Sequence, residues 1–248
     1  MVQSAHAASV EPGKQLPNSV QVQIKGDDGK PQEVTVHYML FVPKEYTAEG
    51  NKWPLMLFLH GYGECGNGND ELDRVKIHGP AKLVDSRPDF PFVVVTPQCP
   101  QPKRDMKEIG KAWKSEQLIQ LIDHAIKRLN VDPERVYVTG LSMGGFGTFR
   151  LAAAYPDRFA AAVPICGGGE PDAMEKALST VPIWAFHGAR DAVVPVSKSE
   201  EMIDAVRRAG GDVRLTVYPD VEHNSWAPTY EDEKVYDWLL SHTKPQSK

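Results

Sequence analysis

A chain of 248 residues with 41% hydrophobic and 25% charged residues has a globular balance, which excludes a disordered, collagen-like or coiled-coil chain. At this length one large domain that buries about 70–75% of its unfolded surface can hold its core without disulfide staples or a structural metal. The 28 Lys and Arg against 33 Asp and Glu leave a net charge of −5, which argues against sequence-independent nucleic-acid binding; no apolar run reaches the about 18–20 residues that span a bilayer.

Residues 1–18 read as a flexible N-terminal tail and 19–245 as a single domain. Within the tail, Ala5-His6-Ala7-Ala8 has the small-x-small pattern of a signal-peptidase cut, although the charged and apolar stretches that should precede it are absent. A secreted protein whose signal has been removed is one reading, and a solvated Ala/Ser tail is the other. Three cysteines, Cys65, Cys99 and Cys166, exclude a disulfide framework and leave at most one bridge.

Val20–Ile24 and Val34–Phe41 alternate apolar and polar residues, the pattern of half-exposed strands in an antiparallel start. From Leu55 the texture changes. Leu55–Leu59, Phe92–Val95, Val136–Val138, Ala161–Ile165 and Ile183–Phe186 are short, nearly continuous apolar runs, as in parallel strands buried on both faces. Between them, Leu118, Leu121, Ile122, Ala125, Ile126 and Leu129 fall on one helical face. Further helices are expected over Phe146–Tyr155, ended by Pro156, and from Ser197, where Ser197 and Glu200 have capping-box spacing, to Gly210-Gly211. Alternating strands and helices specify an α/β domain, a mostly parallel central sheet with helices on both faces.

In such folds ligands sit beyond the carboxyl ends of the strands. There stand His60-Gly61-Tyr62-Gly63, Thr96-Pro97-Gln98-Cys99-Pro100, Gly140-Leu141-Ser142-Met143-Gly144, His187-Gly188-Ala189-Arg190-Asp191 and Tyr218-Pro219-Asp220-Val221-Glu222-His223. The third of these is Gly-x-Ser-x-Gly between a strand and a helix, the context of a nucleophile elbow. A glycine-rich turn of this kind also suits phosphate, but no Walker lysine follows and the spacing is not Gly-x-Gly-x-x-Gly. Ser142, Asp191 and His223 then follow three different strands in the chain order of an α/β-hydrolase triad.

On these segments, with Pro164–Gly169 and Glu222-His223-Asn224, the chain from about Lys52 onward resembles the α/β-hydrolase superfamily. Within it, the chain is similar to secreted carboxylesterases related to feruloyl esterases and polyhydroxybutyrate depolymerases, a group often labelled predicted peptidases. The resemblance implies that Ser142 is the nucleophile, His223 its base and Asp191 the acid that orients the base; Asp220 and Glu222 are rival acids. It also implies oxyanion donors in the backbone amides of Met143 and Tyr62, with Gly63 replacing Tyr62 if the loop is shifted by a residue. Trp113, Trp226 and Gln98 are candidate substrate-binding residues, and packing beneath their own loops is the alternative for the two tryptophans. His60 and His187, in strand-end His-Gly pairs, read as loop braces. Cys99 and Cys166 read as buried apolar residues; a Cys65–Cys99 bridge is conceivable because both loops follow neighbouring strands in the resembling fold.

The acidic run Asn69–Asp73 lacks EF-hand spacing and reads as a solvated helix start; no zinc motif occurs, and neither metal nor organic cofactor is expected. The expected activity is hydrolysis of short-chain or phenolic-acid esters, of feruloyl or acetyl type, free or linked to polysaccharide. A peptidase or amidase of the same fold, and a non-catalytic binding protein built on it, are the alternatives. Oligomeric state is not legible.

Overall fold

The computed structural model describes residues 10–26 and 29–244. The Ala5–Ala8 pattern lies outside them. Among the described residues eight strands form one sheet: β1 (Gln15–Lys25), β2 (Pro31–Phe41), β3 (Trp53–Leu59), β4 (Val93–Pro97), β5 (Val131–Leu141), β6 (Ala161–Ile165), β7 (Ile183–Gly188) and β8 (Val213–Tyr218), in the order β1-β2-β4-β3-β5-β6-β7-β8. β2 pairs antiparallel with both neighbours, and β3 to β8 are parallel.

The expected tail is too long at its inner end, because β1 begins at Gln15 and residues 15–18 already pair with Phe41 to Tyr38. Pro17 and Asn18 interrupt the alternation there, and a proline is tolerated because β1 is an edge strand.

The continuous apolar runs follow from burial on two faces. Leu55, Leu57 and Leu59 of β3 join one core cluster, while Met56 and Phe58 join the other; Val136 and Val138 of β5 oppose Tyr137 in the same way. Among the described residues eight α-helices flank the sheet: α1 (Gly79–Leu83), α2 (Met106–Ile109), α3 (Ser115–Arg128), α4 (Met143–Ala154), α5 (Pro171–Leu178), α6 (Ser197–Arg208), α7 (Trp226–Glu231) and α8 (Glu233–Leu240). Buried residues of α3 to α6 belong to the first cluster, and those of α1, α7 and α8 to the second.

α6 starts where expected, but Val196 occupies its cap position and no side chain caps it, so the Ser197–Glu200 box is not made. Its end is a Schellman turn: Gly210, at φ +86°, donates to Arg207 O at 3.0 Å and Gly211 to Val206 O at 3.0 Å. A helix does start at Asn69, and Asn69–Lys76 is of the 3-10 type.

α4 begins three residues before the expected Phe146, because Gly144 and Gly145 form its first turn instead of a loop. Close packing requires them. A Cβ on Gly144 would lie 1.9 Å from the Leu59 carbonyl oxygen, and one on Gly145 would lie 2.3 Å from that of Ile165. Gly63, also beside Ser142 in space, has nothing within 4 Å of its missing Cβ. Gly144→Ala is therefore expected to cost more than about 3 kcal/mol or to abolish folding, and Gly63→Ala to stay within about 0.5 kcal/mol, by urea denaturation.

Candidate active site

Ser142 stands between β5 and α4 at φ 52° and ψ −115°, a backbone conformation that L side chains rarely adopt. It is held by its amide, which donates to Ile165 O at 2.9 Å, and by the glycine contacts of the helix behind it. The turn lifts the hydroxyl above the carboxyl ends of the strands.

His223, on the loop after β8, points Nε2 at Ser142 Oγ (2.9 Å) and Nδ1 at Asp191 Oδ2 (2.7 Å). An ionised carboxylate only accepts, so Nδ1 carries the proton and Nε2 is free to take one from the serine. Asp191 follows β7, and its carboxylate is fully buried. Oδ1 accepts the Val193 and Val194 amides at 2.8 and 2.9 Å, and Oδ2 also faces His187 Nε2 at 3.2 Å. Burying a carboxylate is tolerated only when its oxygens are bonded, and these are. The rival acids are placed elsewhere: Asp220 is exposed and pairs with Arg190 at 2.6 Å, and Glu222 is exposed.

Ser142 and His223 line a cleft of about 440 Å³ whose walls include Tyr62, Ile109, Phe146, Val193 and Trp226, with Asp191 buried behind His223. A larger, open depression of about 720 Å³ around Trp53 and Arg135 lies at the opposite ends of the strands. Met143 opens α4 and Tyr62 opens the 3-10 turn Tyr62–Glu64. First-turn amides have no partner inside their own helix, the property that an oxyanion donor needs. Gly63 lines the same cleft.

Trp226 lines the cleft and stands edge-on to His223, ring centres 5.4 Å apart. Trp113 and Gln98 correct the expectation. Trp113 is buried, edge-on to His60 at 4.8 Å and so close to Gly147 that a Cβ there would lie 2.6 Å from its ring. Gln98 spends its amide on the 64–71 loop: Nε2 donates to Glu64 O (3.0 Å) and Glu71 O (2.8 Å), and Oε1 accepts from Gly68 N (2.8 Å). Neither lines the Ser142 cleft. Sequence reasoning missed His78, Phe146 and Val193, which carry no motif and reach the cleft only through the fold.

Cys65, Cys99 and Cys166 are buried free thiols, and Cys65 and Cys99 form no bridge. Burial pushes the Cys166 thiol up to about 12, so it stays protonated. Ligand atoms of Cys166, Asp191 and His223 lie within 4.8 Å of one another. The imidazole and carboxylate are already committed to each other and to Ser142, so this arrangement fits proton transfer better than metal binding.

His187 and His60 are buried braces. His187 reaches Ser199 Oγ (2.8 Å) and Val194 O (2.9 Å). His60 Nδ1 faces Gly61 O at 2.6 Å, and Nε2 accepts the Cys99 amide at 3.0 Å. Those partners need Nδ1 protonated and Nε2 bare, the neutral ring. Burial accordingly lowers the His60 pKa to about 4. Between about pH 6.5 and 4 the unfolded chain takes up a proton there that the folded chain refuses, so stability falls as pH falls. In urea titrations across that window, His60→Asn is expected to lose roughly 2 kcal/mol less than wild type.

The model of the dienelactone hydrolase family matches residues 37–237. The chain is 30% identical over 205 residues to the bifunctional acetylxylan esterase/xylanase XynS20E of Neocallimastix patriciarum, covering 79% of this chain and 28% of that protein. Over 92 residues it is 30% identical to acetylxylan esterase A of Emericella nidulans, covering 32% of this chain and 28% of that one. The chain thus spans little more than a quarter of the length of these two relatives. The crystal structure of a thermostable esterase superposes with a TM-score of 0.67 at 32% identity, covering 91% of this chain and 63% of that one. With that match over most of its length and an eight-stranded α/β-hydrolase sheet carrying the site, the chain belongs to the dienelactone hydrolase family.

Proposed function

We propose that the protein is a serine carboxylesterase that cleaves short-chain or phenolic-acid esters through an acyl-enzyme. The observation that carries this reading is the continuous relay from Ser142 Oγ through His223 to the buried Asp191 carboxylate, at the floor of an apolar cleft.

Ser142 Oγ attacks the ester carbonyl carbon as its proton passes to His223 Nε2, and the carbonyl oxygen becomes an oxyanion held by the Met143 and Tyr62 amides. The carbon–oxygen bond to the alcohol then breaks, and the alcohol leaves with the proton from His223. Water, deprotonated by the same imidazole, attacks the acyl-serine and releases the acid. Asp191 stays ionised throughout and stabilises the imidazolium.

Aromatic and aliphatic walls from Tyr62, Phe146, Trp226 and Val193 suit a small acyl or an aryl group. The acetylxylan esterase names among its relatives favour an acetyl or feruloyl ester on a polysaccharide as the natural substrate. Such a substrate is met outside the cell, which agrees with export; among the described residues no helix is long and apolar enough to cross a membrane.

The test is hydrolysis of p-nitrophenyl acetate, methyl ferulate and acetylated xylan at about pH 7.5 by wild type and Ser142→Ala. Turnover of at least one ester by wild type is expected, with a loss of about 10⁴-fold or more in Ser142→Ala. Equal activity of the two proteins contradicts the reading, and turnover of an acyl anilide but no ester favours an amidase. Trp226→Ala is expected to lower kcat/KM for methyl ferulate about tenfold more than for p-nitrophenyl acetate, because only the ferulate presents an aryl acyl group to stack.

A further inference from the structure

The relay leaves one acid of the cleft without a role. Glu64 ends the Tyr62–Glu64 turn, is 6% exposed and lines the cleft with Ser142. Its Oε2 accepts the Gly61 amide at 2.8 Å. Two imidazoles face the carboxylate, His60 Nδ1 at 4.0 Å from Oε2 and His78 Nε2 at 3.9 Å from Oε1, and Arg104 lines the same cleft. Burial raises the Glu64 pKa above the ordinary carboxylate range, opposed by His78 and by backbone hydrogen bonds.

The geometry matters because of what lies next along the chain. The Gly61 carbonyl and the Tyr62 amide share one rigid peptide plane and point in opposite directions. The carbonyl is held by His60 at 2.6 Å on one side. The preceding plane, which carries the Gly61 amide, is held by Glu64. With both planes pinned, the direction of the Tyr62 N–H is set. Space is tight as well: a Cβ on Gly61 would lie 2.8 Å from Leu141 Cδ1 and 3.2 Å from Glu64 Oε2.

We propose that Glu64 is a positioning residue for ester hydrolysis, its carboxylate clamping the Gly61 amide so that the Tyr62 amide meets the oxyanion. This rests on the serine-esterase reading above. The oxyanion exists only in the transition state and intermediate, so a loosened clamp lowers kcat and leaves substrate binding nearly unchanged.

Glu64→Gln and Glu64→Met are close in size to Glu64, and only glutamine keeps an oxygen acceptor. With p-nitrophenyl acetate, Glu64→Met is expected to lose about ten- to hundredfold in kcat with KM within about twofold, and Glu64→Gln to stay within about fivefold of wild type. Rates are expressed per active site, counted by the end-point of fluorophosphonate labelling, so unfolded protein does not enter the comparison. If Glu64→Met yields no labelled sites, Glu64→Ala is read by the same criteria. A methionine or alanine variant as fast as wild type, a loss confined to KM, or a glutamine variant as slow as methionine overturns the positioning role. Ser142→Ala run alongside separates the two claims: if it retains activity the esterase reading has failed, and if it is inactive only the role of Glu64 is at stake.

Discussion

The site depends on one backbone crossing, where the chain leaving β5 turns at Ser142 into α4 against the ends of β3 and β6. The approach is so close that Gly144 and Gly145 leave no room for a Cβ against the Leu59 and Ile165 carbonyls. That contact holds Ser142 in a positive-φ conformation costing about 1–3 kcal/mol, a strain that persists only when its surroundings over-determine it. The same crossing presents the hydroxyl and leaves the Met143 amide unpaired beside it. The proposed nucleophile and oxyanion donor are thus consequences of one packing constraint.

Electrostatics completes what packing begins. Three donors bond the Asp191 carboxylate, two amides of its own loop and His223 from the neighbouring loop, and His187 at the end of β7 stands 3.2 Å from it. They compensate the desolvation of a buried anion and fix its direction, so that His223 is held with its basic nitrogen toward Ser142. A second buried carboxylate, Glu64, sits across the cleft with fewer donors, and burial raises its pKa above the ordinary carboxylate range. One acid fits the orientation of the base, and the other the shape of the loop that opposes it.

Much of this was readable in the residues because the signals were local. Burial on two faces writes itself as continuous apolar runs, and Gly-x-Ser-x-Gly followed by Asp191 and His223 at successive strand ends carries the site in chain order. Positions decided by long-range contact were not readable. Gln15–Asn18 joins β1 through pairing with β2, which no local alternation announces. The α4 start was obscured because its glycines, poor helix formers, are there to admit another segment of backbone. Trp113 and Gln98 occupy the right loops, yet their side chains turn under the loop, one against His60 and the other onto three main-chain groups of the 64–71 segment. His78 and Val193 belong to no motif and become cleft residues only through the folding of distant loops.

The central claim is that Ser142 is the nucleophile, and covalent trapping tests it most directly. The protein is treated with diisopropyl fluorophosphate, digested with trypsin, and the peptide Val136–Arg150 is sequenced by mass spectrometry. The account predicts a single phosphoryl adduct on Ser142, formed in proportion to the loss of esterase activity and absent when His223 is replaced by alanine. An adduct on another residue, or full activity after Ser142 has been modified, would contradict it.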